Sequence, residues 1–220
     1  MTDARSAILA RIADALKDAP APHPVPRGYG RALPPGTDIV ELFVERVGDY
    51  RATVTRTPEA GLPAAIASVL ARRGARWIAV PAGVPDAWLA ASDVEHVADE
   101  PVLSHQALDG LDGVITGCAV GIAETGTIVL DAGPDQGRRA LSLLPDLHVC
   151  IVSVGQIVGT VPEALERLIP TRPQTWISGP SATSDIELQR VEGVHGPRTL
   201  DVIVVGCVPV RYHRPHRRAA

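Results

Sequence analysis

The chain has 220 residues, 45% of them hydrophobic but only 3% aromatic, and a formal net charge of -4. That length suits one sizeable domain with a core of Val, Ile, Leu and Ala, and it leaves few rings for stacking nucleobases. Interspersed charges give no field for nucleic acid or an anionic membrane surface. Cys118, Cys150 and Cys207 stand too far apart for a disulfide framework or a CxxC metal site, so no metal is expected in this chain.

At the start of the chain, Ile8, Leu9, Ile12 and Leu16 recur at helical spacing. They predict a helix from about residue 3 to 19, capped by Thr2 and stopped by Pro20. The same stretch lacks a continuous apolar segment and carries Asp3, Asp14 and Asp18, so it is not a secretory or transit signal. No apolar run approaches the ~18 residues of a membrane span, and a cytoplasmic protein is the expectation. The prolines that follow, up to Gly36, make a stiff extended connector. Three parts result: a helix with a proline-rich connector over 1–36, an α/β domain over 37–208, and a basic tail over 209–220 that reads as a solvated terminus.

Within the α/β part, TDIVELFVERVGDY predicts a helix capped by Thr37, RATVTR a strand, PEAGLPAAIASVLARRG a helix closed by Gly74, and RWIAVP a buried strand. PDAWLA and VEHVAD carry no clear period. A helix over SHQALDGLD then leads into the strand GVITG, followed by LHVCIVSVG, the helix VPEALERLI, and the strands TWISG and TLDVIVVG. Strands separated by helices of this length imply an α/β fold, with a central, mostly parallel sheet and helices on both faces. Ligands of such sheets sit at the carboxyl ends of strands, which selects the loops ITGCAVGIAETGT and ISGPSATSDIE.

In the first loop, Gly121 and Gly126 have P-loop spacing, but Thr127 stands where lysine is required and TIVLD reads as a strand, so no phosphate cradle forms. Glu124 has two readings: a carboxylate available as base, nucleophile or acceptor, or a hairpin residue beside the turn glycine Gly126. In the second loop, Ser184 and Glu187 match a capping box, so a helix is expected to begin there. Gly179, Pro180, Ser181 and Thr183 feed that start, which is either an anion site or a plain cap. His195 and Arg198 lie in the turn GVHGPRT, where the pair could bind an anion or move a proton, or simply complete a turn. Arg138 and Arg139 read as the solvated first turn of a helix.

Taken together, GVITGCAVGIAETGTIVLDA, RRALSLLPDLHVCIV, IVGTVPEAL and ISGPSATSDIELQRVEGVHGPRTLDVIVV resemble the C-type branch of the lactate-utilisation (LUD-domain) family, over roughly residues 37 to 206. The resemblance implies a fold similar to the sugar-phosphate isomerase and CoA-transferase group. It also implies work beside two iron–sulfur partner proteins in bacterial oxidation of L-lactate to pyruvate, with the clusters in those partners and no cofactor in this chain. The site positions it implies are Glu124 as the catalytic candidate, and Thr116, Thr125, Gly126, Ser178, Gly179, Ser181, Thr183, Asp185, Glu187, His195 and Arg198 around a small carboxylate or phosphate. Glu124-Thr125-Gly126 is also similar in form to the nucleophile segment of CoA-transferases.

Three functions follow as expectations: a non-redox subunit of a lactate-oxidising system, an acyl-CoA transferase or thioesterase using Glu124, and a binding module for a small anionic metabolite. A shared site, with a small carboxylate or phosphate at Ser181 to Asp185, Arg198 or His195 as countercharge and Glu124 across the cleft, requires Glu124 within a ligand's width, on the order of 10 Å, of the Ser178–Thr183 loop with a pocket between them.

Overall fold

The computed structural model describes residues 3–18, 25, 27, 28, 30–184, 190–192 and 196–206. It divides into two compact units, Met1–Gly30 and Arg31–Ala220. In the first unit, helix α1 (Ala4–Ala15) is capped by Asp3, whose carboxylate accepts from the Arg5 N–H; the expected cap, Thr2, lies outside the described residues. Ile8, Leu9, Ile12 and the following Leu16 are exposed.

The second unit begins at Arg31, inside the proline-rich stretch. The backbone carbonyl of Arg31 accepts from the Thr160 hydroxyl at 2.9 Å, and the Arg31 guanidinium meets Glu166 at 3.2 Å. Helix α2 (Ile39–Asp49) begins at Asp38, not at Thr37: the Asp38 carboxylate takes the N–H groups of Val40 and Glu41, while the Thr37 hydroxyl donates to the Pro34 carbonyl. There follow β1 (Thr53–Thr57), α3 (Leu62–Arg73), β2 (Trp77–Val80), β3 (Glu95–Ala98), α4 (His105–Asp109), β4 (Gly113–Thr116), β5 (Val120–Ile122) and β6 (Thr127–Leu130). The chain continues through β7 (Leu147–Ser153), β8 (Ile157–Val158), α5 (Val161–Arg167), β9 (Thr175–Ile177), β10 (Ala182–Ser184), β11 (Arg190–Glu192) and β12 (Thr199–Val205).

Six strands form a parallel sheet in the order β1-β12-β7-β4-β2-β3. β7 and β12 are apolar almost throughout because they lie in its middle and are covered on both faces. Cys150, Val152, Val202 and Val204 point to one face, where Phe43 and Val47 of α2 pack together with part of the second sheet. Val149, Ile151 and Ile203 point to the other, against Leu62, Ile66, Val69 and Leu70 of α3. Each such side chain contributes roughly 1.5–3 kcal/mol by leaving water. On the α3 face the buried Asp201 carboxylate is held by Arg72 Nη2 at 2.8 Å and Arg73 Nε at 2.7 Å.

A second sheet, β8-β5-β6-β9, is mixed: β5 runs antiparallel to β6 and parallel to β8, and β6 runs antiparallel to β9. β10 and β11 form a separate antiparallel pair in which Ser184 lies opposite Arg190. Ser184 is therefore the last residue of a strand, and residues 185–189, over which the expected helix would run, lie outside the described residues. Among the described residues no helix is long and apolar enough to cross a membrane.

Candidate functional site

Tyr50, at the end of α2, Ile177 and the loop after β9 meet the starts of β7 and β12 around a cavity of about 350 Å³. His148 and Leu200 contribute to its wall; each is the second residue of its strand. The cavity thus lies at the amino ends of the inner strands β7 and β12, opposite to the carboxyl-end rule. That rule fails for the Ser178 loop because β9 belongs to the mixed second sheet. Ser142, Ser178 and Ser181 share the lining with Leu143 and Trp176, the Ser142 hydroxyl donating to the Arg139 carbonyl at 3.2 Å. Among the described residues, the lining includes no Arg, Lys, Asp or Glu.

His148 is 1% exposed and sits in register between Val114 of β4 and Leu200 of β12. Its Nε2 lies 2.8 Å from Thr116 Oγ1, whose hydroxyl also donates toward Cys150 Sγ at 3.9 Å; Cys150 Sγ in turn donates toward the Gly117 carbonyl at 3.7 Å. Nδ1 of His148 is buried with no hydrogen-bond partner. Such an orphan is uncommon in a folded protein and calls for an explanation. Beside it, the hydrogen bond between the two thiols and then burial push Cys118 well above the ordinary thiol range. The hydrogen bond from Cys118 pulls Cys150 down against burial, with lesser help from His148 and Thr116. Among the described residues, no group of three or more His, Cys, Asp or Glu side chains is placed to hold a metal ion.

Glu124 lies in the turn between β5 and β6, and its side chain is exposed. It lines a different depression, with Arg46, Asp49, Tyr50 and Thr125; Tyr50 stands between the two and borders both. The two predicted loops do come together through hydroxyls: Thr125 Oγ1 is 2.7 Å from Thr127 Oγ1, which is 2.8 Å from Ser178 Oγ. Gly126 and Gly179 have φ of +60° and +80°, and a Cβ on either would run into the backbone of Arg46 or into Tyr50. Their role in the structure is close approach to the end of α2.

Thr116 is fully buried behind the cavity, and Ser181 borders it with its backbone N–H bound to the Pro197 carbonyl at 2.8 Å. Thr183 lies in β10, opposite Val191. Arg198 is exposed and pairs with Asp146 at 3.5 Å, away from the cavity lining. Asp185, Glu187 and His195 lie outside the described residues.

Arg138 is not solvated, as its position in the sequence had indicated. Its guanidinium makes two bonds to Asp99, at 2.6 and 3.0 Å, and one to the Leu103 carbonyl at 2.7 Å. These hydrogen bonds hold the Asp99 carboxyl below the ordinary carboxylate range. A second, more apolar cavity of about 480 Å³ at the carboxyl ends of β2 and β3 is bordered by this pair. Nearby, burial raises the Asp135 carboxyl, which lies against Gly117 where a Cβ would stand.

Ser142 and His148 lie in the stretch RRALSLLPDLHVCIV that carries the resemblance, but neither they nor Tyr50 were among the expected site residues. A histidine inside the apolar run LHVCIV was the available clue, because a buried strand tolerates a polar ring only when something satisfies it.

Comparison with known proteins agrees with this architecture. The sequence profile of the LUD domain matches residues 86–205. The chain is similar to Lactate utilization protein C of Deinococcus radiodurans, with 53% identity over 199 residues, 89% of this chain and 90% of that one. It is also similar to Lactate utilization protein C of Geobacillus kaustophilus, with 29% identity over 76% of this chain and 78% of that one. A crystal structure of a DUF162 family protein from Deinococcus radiodurans matches with a TM-score of 0.67 at 50% identity, covering 76% of this chain and 96% of that one. Profile, sequence relatives and solved structure converge on one assignment: the chain belongs to the LUD domain family.

Proposed function

We propose that this protein is a non-redox subunit of a bacterial system that oxidises L-lactate to pyruvate, acting in the cytoplasm beside iron–sulfur partner proteins and receiving a small carboxylate in the cavity beside His148. The observation that carries the lactate role is the 53% identical relative, matched over 90% of its length and named Lactate utilization protein C. The ligand reading is supported by the cavity itself, whose volume of about 350 Å³ admits a small organic molecule between serines and an apolar wall. Acyl transfer by Glu124 has no such support, since Glu124 is exposed in a separate depression.

Deleting the gene in its host tests this directly. Growth on L-lactate as sole carbon source should fail and growth on pyruvate should persist, with recovery when the full chain is supplied. Undiminished growth of the deletion strain on L-lactate would sink the reading.

A further inference from the structure

We propose that the cavity at the carboxyl ends of β2 and β3 binds a free α-amino acid with an aliphatic side chain, its carboxylate on Arg138 and its ammonium group on Glu100. Strand order reverses at β2: the chain adds β3 on one side of it and, later, β4 and β7 on the other. Ligands of open parallel sheets gather outside the carboxyl ends at such a reversal. Pro81 and Ala82 follow β2 into the wall of the cavity, and Ala98, the last residue of β3, joins them. The volume of about 480 Å³ lies within the ~300–1,000 Å³ of small-molecule sites. Another part of the wall, Gly133 and Pro134, is tied to the sheet: the Gly83 N–H donates to the Pro134 carbonyl and the Gly117 N–H to that of Asp135, each at 2.9 Å. A Cβ on Gly83 would strike Pro134, and one on Gly117 would strike Asp135.

Among the described residues, the charged side chains that border this cavity are Asp99, Glu100 and Arg138. Of the guanidinium N–H groups of Arg138, those on Nε and Nη2 go to Asp99 and to the Leu103 carbonyl, which leaves the pair on Nη1. Neither Nη1 nor the exposed Glu100 carboxylate has a partner among the described residues. Asp99 and Arg138 neutralise each other, so Glu100 gives the site a net negative charge. A plain carboxylate would meet net repulsion there, and a plain amine would leave Nη1 unused; a zwitterion satisfies both groups. Pro81, Val102, Pro134 and Leu141 offer aliphatic surface, and the described lining holds no hydroxyl or aromatic side chain to favour a sugar or a ring compound. The assignment does not rest on the lactate reading, which concerns the other cavity.

Equilibrium dialysis of the full chain against radiolabelled L-leucine tests it. L-Leucine should bind saturably and be displaced by L-valine. It should not be displaced by 4-methylpentanoate, which lacks the ammonium group, or by 3-methylbutylamine, which lacks the carboxylate. Ala98→Trp fills the cavity from an exposed position and should abolish binding. Glu100→Gln, also at an exposed position, removes the partner of the ammonium group and should weaken binding about tenfold. No saturable binding of L-leucine, displacement by either half-ligand as effective as by L-valine, undiminished binding to Ala98→Trp, or unchanged affinity in Glu100→Gln would each overturn the proposal. Growth of the deletion strain on L-lactate bears on the lactate role alone, so the two readings stand or fall separately.

Discussion

Thr116 Oγ1 lies 2.8 Å from Nε2 of His148 across the neighbouring strands β4 and β7, and both side chains are buried. Thr116→Val should therefore leave Nε2 of His148 without its hydrogen-bond partner in the core and cost about 1–3 kcal/mol. Thr116→Ser keeps the hydroxyl and should recover most of that loss. Urea midpoints of the two variants decide it, and equal destabilisation would show that the hydroxyl is not what the ring requires.

Gly126→Ala and Gly179→Ala test whether these glycines serve packing. Both sit at positive φ with the end of α2 against them. A left-handed non-glycine residue costs roughly 1–2 kcal/mol before any clash is counted. Each variant should melt several degrees lower in a thermal scan. A variant of unchanged stability would reopen a direct ligand-binding role for that glycine.

Parallel strands such as β7 and β12 were legible because burial on both faces leaves an unbroken apolar run. β3 was not, since Glu95-His96-Val97-Ala98 is an exposed edge strand with no apolar period to detect. Nor was β8, which has only two residues. The Glu124 hairpin was readable from Gly126, but nothing local says that β5, β6 and β9 leave the main sheet to build a second one. The site suffered most from this: the carboxyl-end rule was applied to a loop outside the parallel sheet. Ser178, Gly179 and Ser181 border the cavity all the same, while Glu124 sits on the far side of Tyr50.

Asp201 is buried, whereas Arg72 and Arg73 are 46% and 32% exposed. Removing the carboxylate leaves cations that can turn to water; removing both arginines strands a buried anion. The double variant Arg72→Ala/Arg73→Ala should thus lose about 3 kcal/mol or more, and Asp201→Asn distinctly less. Chemical denaturation of the two proteins at neutral pH compares them, and the reverse order would contradict this account.

For Asp99, hydrogen bonds from Arg138 place the folded pKa below the unfolded value of about 3.9. Its contribution to stability is accordingly present above that pH and lost as pH falls through the folded value. Between pH 7 and pH 3, the urea midpoint of the Asp99→Asn variant should fall less than that of the natural protein. Parallel falls would mean that the pair contributes nothing to acid sensitivity.

Glu124→Gln should change stability by no more than about 0.5 kcal/mol, as expected for an exposed turn residue. Incubation of the natural protein with acetyl-CoA should give no mass increase at Glu124. A glutamyl adduct in the intact mass spectrum would instead establish acyl transfer.

β12 inserts between β1 and β7, so residues 199–205 supply a strand near the centre of a sheet whose edge is laid down at residues 53–57. During synthesis, β1 has no partner in this sheet until β12 leaves the ribosome, so the nascent chain holds an unpaired strand and an open apolar face over most of translation. A ribosome that stalls before residue 199 releases a chain with its sheet split in two, which makes the late part of the message the place where premature termination yields aggregation-prone product.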